Sequence, residues 1–286
     1  MEYHVATLVA RAVEASGLGD VALAGGVFAN IKVNGAIRRL PGVRRCGVFP
    51  HRGDGGLAVG AGAALGLSLS PDAFHSPRPL TTLSLGGAFS DAAVAAVLRR
   101  ATCRHERLAD PAREGAALLA AGRVIGWFQG GMEYGPRALG ARSILALATL
   151  KGVRARLNRE LKRRAWYQPF CPSLLESEAE RFLADYGKRP DRFMTMLYQL
   201  RESERERLGE IAGVDGSCRP QIVADGSGVF AELLGEVKRL TGDGILLNTS
   251  FNFHGEPMVR TPEEALDAFR RMPLDHLVMG PFRVDR

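Results

Sequence analysis

The sequence predicts an α/β protein in which helices and strands alternate, and three observations support this fold class. Short apolar runs of strand length, at residues 124–128 and 245–247, end in loops rich in glycine or asparagine. Stretches with apolar side chains at helical spacing, such as residues 230–240, lie between them. The glycine-rich loops follow predicted strand ends, which is where ligands bind in open α/β sheets.

The first 67 residues alternate regularly between helix and strand. The predicted elements are a helix that stops at Gly17, a strand at 21–24, a helix that carries Asn34, a strand at 46–49 and a small helix at 57–65. Residues 68–82 are rich in proline and serine and have no periodicity. We therefore predict a first domain at 1–67, a linker at 68–82 and a second domain at 83–286.

The second domain continues the alternation around a central strand at 124–128. Apolar periodicity predicts helices at 91–100, 112–121, 178–186 and 230–240, another helix marked by Leu157 and Leu161, and strands at 193–200, 245–247 and 277–279. Thr261, Pro262 and Glu264 form a capping box with proline at the first helical position. The strand at 277–279 is expected to close a sheet edge, and residues 166–170 are expected to form a packing corner. The helix marked by Leu157 and Leu161 carries basic residues that are expected, for the most part, to form a solvated face: Arg154, Arg156, Arg159, Lys162, Arg163 and Arg164.

Residues 123–143, RVIGWFQGGMEYGPRALGARS, hold the motif around which the chain is organised. A buried strand leads into a glycine loop, and Pro136 fits the first turn of a helix. Arg137 and Arg142 would then lie at a helix N-terminus, where backbone N–H groups and guanidinium groups suit a phosphate or carboxylate. An ordinary strand–turn–helix with solvated arginines explains the pattern equally well.

Composition and charge narrow the class of protein. The 286 residues carry 38 Lys and Arg and a net charge of +7, which favours anionic ligands such as nucleotides, acyl phosphates or nucleic acid. The four cysteines lie far apart, so neither a zinc cluster nor a disulfide framework is expected. This cysteine usage predicts a cytoplasmic location. No apolar run of bilayer length and no signal peptide is evident, so no membrane association is expected.

Two glycine turns near the start of the chain offer candidate ligand sites. Asp54 lies in a glycine loop after a strand, where a carboxylate can hold a metal ion that bridges phosphates, although Gly-Asp-Gly is also an ordinary turn. Gly25 and Gly26, followed by Asn30 and Asn34, suit a nucleotide. A tight turn with a polar helix face accounts for the same residues.

The segment after the strand at 245–247 is a further candidate. Asn248 and Ser250 would lie at the mouth of that strand, and Phe251 and Phe253 could wall a pocket. An asparagine turn is the simpler alternative. Because several strand ends carry Arg, Asn and Ser, a shared anion site is the better explanation.

Taken together, these stretches resemble the O-carbamoyltransferases of nodulation-factor and antibiotic biosynthesis, which include the cephalosporin and aminoglycoside carbamoyltransferases. The resemblance covers nearly the whole chain. The matching runs are AGGVFAN at 24–30, GDGG at 53–56, GWFQG at 126–130, GPRALG at 135–140 with Arg142 and Ser143, Asn158, Lys162, Arg163, Pro169 and Phe170, Pro172 and Ser173, DGS at 215–217, RPQ at 219–221, LNTSFN at 247–252 and GEP at 255–257.

The resemblance implies a fold, a reaction and roles for residues. Residues 1–67 would be the second half of an actin-like ATPase-type domain, and residues 83–286 a carbamoyl-adenylate-forming domain related to threonylcarbamoyl-adenylate synthases. Carbamoyl phosphate and ATP with Mg²⁺ would give carbamoyl adenylate, which carbamoylates a hydroxyl or amine of a small-molecule acceptor. The residues expected to act on these anions are Arg137, Arg142, Arg164, Arg219, Asn248 and Ser250.

The sequence also departs from the family pattern. Family members begin with another half of the actin-like domain, so we expect the metal site to be incomplete here. Asp54 would be the one ligand that this chain supplies for a divalent ion. Iron is one candidate for that ion. A fragment, a split enzyme with a separate N-terminal-half chain, and a remnant all fit. Gly131, Ala165 and Gln168 replace polar or charged residues. Two alternatives stay open: a non-catalytic subunit, and an RNA-modifying relative, although nucleic acid is not the expected partner.

Overall fold

A computed structural model describes residues 1–74 and 80–286, and it confirms the α/β class. The N-terminal elements are α1 (Glu2–Ser16), β1 (Asp20–Leu23), a 3-10 helix (Gly26–Ala29), α2 (Ile31–Arg38), β2 (Arg45–Val48), a 3-10 helix (Asp54–Gly56) and α3 (Leu57–Leu69). Strands β1 and β2 pair in parallel, with Asp20 opposite Arg45. Helix α1 ends at Gly17, whose φ of 68° is a conformation that glycine adopts without strain.

The end of the first predicted domain differs from the prediction. Helix α3 continues to Leu69, and a 3-10 helix at Pro71–Phe74 follows it. The predicted linker at 68–82 therefore begins with helical residues, and its middle part, residues 75–79, lies outside the described residues.

An eight-stranded mixed sheet organises the rest of the chain. Its strands are β3 (His105–Arg107), β4 (Ile125–Phe128), β5 (Arg142–Leu147), β6 (Cys171–Leu175), β9 (Gln221–Val223), β10 (Ile245–Ser250), β11 (His276–Met279) and β12 (Phe282–Asp285), and they lie in the order β3-β12-β11-β4-β5-β10-β6-β9. A separate antiparallel pair consists of β7 (Tyr198–Gln199) and β8 (Ser217–Cys218).

Helices cover both faces of this sheet. They are α4 (Asp91–Arg100), α5 (Pro111–Ala120), α6 (Val153–Arg156), which a π-helix (Leu157–Lys162) continues, α7 (Ala179–Phe182), α8 (Glu202–Arg205), α9 (Val229–Thr241) and α10 (Pro262–Arg271), with 3-10 turns at Glu176–Glu178 and Gly209–Ile211. The side chains of Ser90, Asp110 and Thr261 cap the N-termini of α4, α5 and α10, and of these caps the one at Thr261 was predicted.

Two apolar cores lie on the two sides of the sheet. Helices α5 and α9 bury Trp127 and Leu233 on one side, while the other side holds Phe128, Phe251 and Phe269. Each fully buried large side chain contributes about 1.5–3 kcal/mol. The second core also includes apolar residues of β1, α2 and β2, so the N-terminal elements pack onto the same core as the large sheet.

The helix predicted after Pro136 is absent, and that prediction was wrong. Residues 129–141 form an irregular loop, and Arg142 begins strand β5, which pairs with β4 and β10. The run from Ile144 to Leu147 is apolar because it lies in the middle of the sheet, with Ile144 and Leu145 fully buried. An apolar run of this length does not distinguish a buried strand from a helix.

Three further elements differ from their predictions. The helix predicted at 178–186 ends at Phe182, because Leu183 is extended and bridges to Leu200. The strand predicted at 193–200 is limited to β7, because the Asp191 carboxylate accepts N–H groups of the segment before it. Strand β11 is not an edge strand, since β12 covers it.

The expected packing corner at 166–170 is buried only at its end. Trp166 and Tyr167 are 72% and 60% exposed, whereas Phe170 is buried. None of the described helices is long and apolar enough to cross a bilayer.

Candidate functional site

A buried carboxylate shapes the loop that carries Arg137. Oε1 of Glu133, which is 4% exposed, accepts the backbone N–H groups of Leu139 at 2.7 Å, Ala141 at 2.6 Å and Arg142 at 3.2 Å. Three donors on one carboxylate oxygen replace the hydrogen bonds that a helix would have supplied to this segment. The loop is therefore fixed although it has no regular secondary structure.

Three of the predicted arginines meet at the start of strand β6. The Arg219 guanidinium donates to Sγ of Cys171 from Nε at 3.1 Å and from Nη2 at 2.8 Å. Burial lowers the pKa of Arg137, and the positive charges of Arg219 and Arg52 lower it further. Burial and Arg219 also lower the pKa of Arg164. Positive charges crowded in this way are stabilised by an anion that lies among them.

Arg52 joins the same group from the N-terminal elements. Its side chain is 5% exposed, and its pKa is lowered by burial and by the charge of Arg219. One N–H donates to the carbonyl of Pro50, whereas the buried Nε has no partner. We call Arg52, Arg137, Arg164 and Arg219 the arginine cluster. The cluster draws its members from both parts of the chain.

Asn248 lies beside the arginine cluster rather than at a strand mouth as expected. It is 2% exposed and sits inside β10, directly opposite Cys171 of β6. Opposed residues of antiparallel strands place their side chains on the same face, about 5 Å apart at Cβ. The Asn248 amide donates to the carbonyl of Ala138 at 3.2 Å and to Oγ of Ser173 at 2.9 Å, but its buried Oδ1 has no partner.

Ser250 lies two residues further along β10 and contacts a buried lysine. Nζ of Lys162 lies 2.7 Å from the carbonyl of Ser250, 3.3 Å from its Oγ, and 2.8 Å from Oδ1 of Asn252. Burial and the charge of Arg164 lower the pKa of Lys162 to about 7. A buried lysine that donates only to neutral oxygens, next to an arginine cluster, is a candidate functional group.

Arg142 does not reach this face of the sheet. It is fully buried, and its N–H groups donate to the carbonyls of Gln129 at 2.9 Å and Gly130 at 3.1 Å. Its guanidinium lies 3.6 Å from the centre of the Phe128 ring. Ser143 pairs with Ser250 across the sheet, so these two side chains lie on the same face. Because neighbouring residues of a strand point to opposite faces, Arg142 points away from that face. Arg142 is thus bonded to its own loop.

The four residues that were predicted to bind a nucleotide lie in different surroundings. Gly25 has a φ of 112° and donates its N–H to the carbonyl of Arg52, and both it and Gly26 face open space. The Asn30 side chain caps α2. Asn34 is fully buried and donates to the carbonyls of Phe28 and Thr195, each at 2.8 Å. Asn34 therefore ties the N-terminal elements to the segment at Thr195, and of the four residues predicted to bind a nucleotide only the two glycines are open to a ligand.

Asp54 is exposed at the start of its 3-10 helix. Within residues 1–74 and 80–286, no three His, Cys, Asp or Glu side chains come together in a way that could hold a metal ion. The described residues therefore do not fit a complete metal centre, and we derive no step through one.

Sequence reasoning missed four residues of this site: Arg52, Glu133, Lys162 and Cys171. Lys162 was placed with the basic residues of a solvated helix face, although its position among matching motifs was a signal. Cys171 and Arg52 carried no signal, because their neighbours are distant in sequence.

Comparison with known proteins is consistent with this geometry. The family model described as "Carbamoyltransferase C-terminus" matches residues 116–286, and the one described as "Carbamoyltransferase N-terminus" matches residues 2–64. Nodulation protein NolNO of Sinorhizobium fredii is 37% identical over 96% of this chain and 41% of its own length. Nodulation protein NolO of Bradyrhizobium diazoefficiens is 37% identical over 95% of this chain and 50% of its own length.

An uncharacterized protein of Methanocaldococcus jannaschii is also similar, with 35% identity over 93% of this chain and 44% of its own length. The chain thus spans half or less of the length of these curated relatives.

Proposed function

Because this chain belongs to the carbamoyltransferase family, we propose that its arginine cluster binds carbamoyl phosphate in an ATP-dependent carbamoyl transfer. The observation that carries this proposal is the convergence of Arg137, Arg164 and Arg219 on one face of the sheet beside Asn248. In the proposed sequence, carbamoyl phosphate is hydrolysed to carbamate and phosphate. Carbamate then attacks the α-phosphate of ATP and releases pyrophosphate. The resulting carbamoyl adenylate transfers its carbamoyl group to a hydroxyl or amine of a small-molecule acceptor, which loses a proton as AMP departs.

Charge is the main argument for this substrate. The pKa of Arg137 is shifted by burial, by the charges of Arg219 and Arg52, and by the sulfur of Cys171. No carboxylate is among these influences, so none of them supplies a carboxylate to neutralise the charge of Arg137. Guanidinium groups bind phosphate through paired N–H donors, and buried donors stabilise charge that develops as a phosphate is attacked. A small dianion such as carbamoyl phosphate would relieve the repulsion within the cluster.

The neighbouring polar groups fit the other end of this substrate. The unpartnered Oδ1 of Asn248 is an acceptor, and the carbamoyl NH₂ group is a donor. Lys162 can hold a proton or release it near neutral pH, because its pKa is lowered to about 7. We propose that Asn248 orients the carbamoyl group. Lys162 and Ser250 would bind the oxygen atoms of the substrate. Arg142 is left out of the proposed site because its Nη groups bond to the carbonyls of its own loop and its side chain lies on the opposite face of the sheet from Asn248.

We also propose a fold for each of the two parts of the chain. Residues 1–67 would form the second half of an actin-like domain, in which Gly25 and Gly26 approach a nucleotide, and residues 83–286 a threonylcarbamoyl-adenylate-synthase-like domain. A divalent metal would be held by Asp54 together with ligands from outside this chain. The chemistry of carbamoyl phosphate and ATP suits a cytoplasmic protein.

A second observation favours the proposal that another polypeptide segment covers part of this chain. Helix α3 has no buried residue, and its apolar side chains include Leu57 at 70%, Leu65 at 60% and Leu69 at 74% exposed. An apolar helix exposed on all sides is unusual for a stable surface. Since the relatives are about twice as long, we propose that their remaining half, in the same or a separate polypeptide, covers α3.

The activity is tested by incubating the chain with carbamoyl phosphate, ATP and Mg²⁺ and measuring pyrophosphate. We expect release that requires carbamoyl phosphate and falls by about 100-fold or more in Arg219→Gln. Arg159→Gln is the matched control, because Arg159 is exposed and pairs only with its neighbour Glu160. Pyrophosphate release that is absent from the folded wild-type chain, or equal in both variants, would contradict the proposal.

The partner is tested separately by mixing the chain with the corresponding N-terminal half of a relative and measuring the complex by size-exclusion chromatography. Leu65→Glu should prevent the complex if α3 is covered, whereas Leu240→Glu, at an exposed residue of α9, should not. A complex that forms equally with both variants would show that α3 is not the contact.

A further inference from the structure

Cys171 occupies an unusual position for a cysteine. Its sulfur accepts two hydrogen bonds from the Arg219 guanidinium, at 2.8 and 3.1 Å, and its side chain is half-buried rather than sealed. Arg137 and Arg164 also interact electrostatically with this sulfur. Reactive cysteines lie in electropositive, partly exposed surroundings of this kind, because the thiolate is the nucleophile.

Two buried polar atoms close to Cys171 have no hydrogen-bond partner. Asn248 lies directly across the sheet, 2% exposed, and its Oδ1 has no hydrogen-bond partner. Arg137, which interacts electrostatically with the sulfur, has a buried Nε without a hydrogen-bond partner. Buried polar atoms normally have partners, so an acceptor and a donor left open around one sulfur indicate a missing polar ligand.

The other cysteines lie in different surroundings. Burial raises the pKa of Cys46, and it raises the pKa of the fully enclosed Cys218 thiol. The half-buried Cys103 contacts the carbonyl of Leu98 at 3.7 Å, which gives its sulfur an acceptor rather than a cation. Cys103 is therefore an internal control of similar exposure: Arg104, Arg270 and Arg286 line the same pocket, but none of the described guanidinium groups donates to its sulfur.

We propose that Cys171 is a covalent modification site selective for small anionic electrophiles, namely carboxylates or phosphates that carry a reactive carbon. The arginine cluster would bind the anionic group and place the electrophilic carbon at Sγ. In the step itself, the sulfur forms a bond to carbon, the carbon–leaving-group bond breaks, the leaving group departs with its electron pair, and the thiol proton passes to solvent. The modified side chain would then fill the anion site.

The test compares two alkylating reagents that differ in charge, iodoacetate and iodoacetamide, on the full wild-type chain. Peptide mass spectrometry measures the alkylation rate at Cys171 and at Cys103 in the same sample. Because a cluster of positive charge raises the local concentration of anions, we expect the iodoacetate-to-iodoacetamide rate ratio to be about tenfold or more higher at Cys171 than at Cys103. Equal ratios at the two cysteines would overturn the proposal.

Protection by inorganic phosphate is the second measurement, and it needs no variant. Phosphate should slow the reaction of iodoacetate at Cys171 and leave the rate at Cys103 unchanged. A rate at Cys171 that phosphate does not change would show that the thiol and the anion do not share one site. This inference depends on the arginine cluster alone, so it can hold even if the chain releases no pyrophosphate.

Discussion

Glu133 and Arg142 are joined through the backbone: Oε1 of Glu133 accepts the main-chain N–H of Arg142 at 3.2 Å, while the Arg142 guanidinium donates to the carbonyls of Gln129 and Gly130. The two side chains thus fix the beginning and the end of the same loop. Between them lies Arg137, whose own position follows from this arrangement. The loop that carries the proposed anion-binding residue Arg137 is therefore held by two residues outside the proposed site.

The first prediction concerns the Glu133 carboxylate. In Glu133→Gln the neutral amide accepts weaker hydrogen bonds from the three loop N–H groups, so we expect the free energy of unfolding to fall by about 2 kcal/mol. Urea unfolding measures the change, with Glu206→Gln at an exposed residue as control. Equal urea midpoints for the two variants would mean that the loop does not depend on this carboxylate.

The second prediction concerns Gly140. Its φ is 102°, and a Cβ added there would lie 2.3 Å from Cδ1 of Phe230. Gly140→Ala should lower the free energy of unfolding by about 2 kcal/mol or more through backbone strain and overpacking. Gly226→Ala is the matched control, because Gly226 also has a positive φ but nothing lies near its Cβ position.

Phe230→Leu in the Gly140→Ala background distinguishes the two causes. If the clash with the ring is responsible, Gly140→Ala should cost less stability in the Phe230→Leu background than in the wild type. An equal cost in both backgrounds would assign the loss to the backbone alone.

The third prediction is a pH dependence due to Lys162. Burial disfavours the charged form and lowers the pKa of Lys162 from its usual 10.5 to about 7 in the folded chain. Below pH 7 the folded chain therefore bears the full cost of a buried charge, and the lost stability is regained as the pH rises from 7 toward 10.5. The unfolded chain binds more protons between these values, so stability rises with pH in this range.

Lys162→Met removes this contribution. From pH 6 to pH 9, the free energy of unfolding of the wild type should rise relative to that of Lys162→Met by about 2 kcal/mol. Urea unfolding of both proteins at the two pH values measures the difference, and other titrating groups cancel in the comparison. A difference between the two proteins that is the same at both pH values would refute the lowered pKa.

Elements with local signals were predictable from the sequence. Helix α10 was marked by Thr261 and Pro262, α1 by Gly17, and α9 by its apolar stripe, and each is found. These signals depend on residues three or four positions apart, so one segment of sequence is enough to carry them.

The rest depended on contacts between distant segments. Arg142 was assigned to a helix because neither the pairing of β5 nor the Glu133 carboxylate beneath the loop is visible in a local pattern. Cys171 faces Asn248 only through the register of β6 against β10. Lys162 looked like one more residue of a solvated basic helix, whereas the π-helix turns it toward Ser250.

The measurement that tests the central claim most directly is calorimetric titration of carbamoyl phosphate into the wild-type chain, Arg219→Gln and the control Arg159→Gln. If the arginine cluster is the anion site, Arg219→Gln should weaken binding by about tenfold or more, because charge-assisted hydrogen bonds are lost, and Arg159→Gln should not change it. Equal binding by all three folded proteins, or no binding by the wild type, would contradict the account.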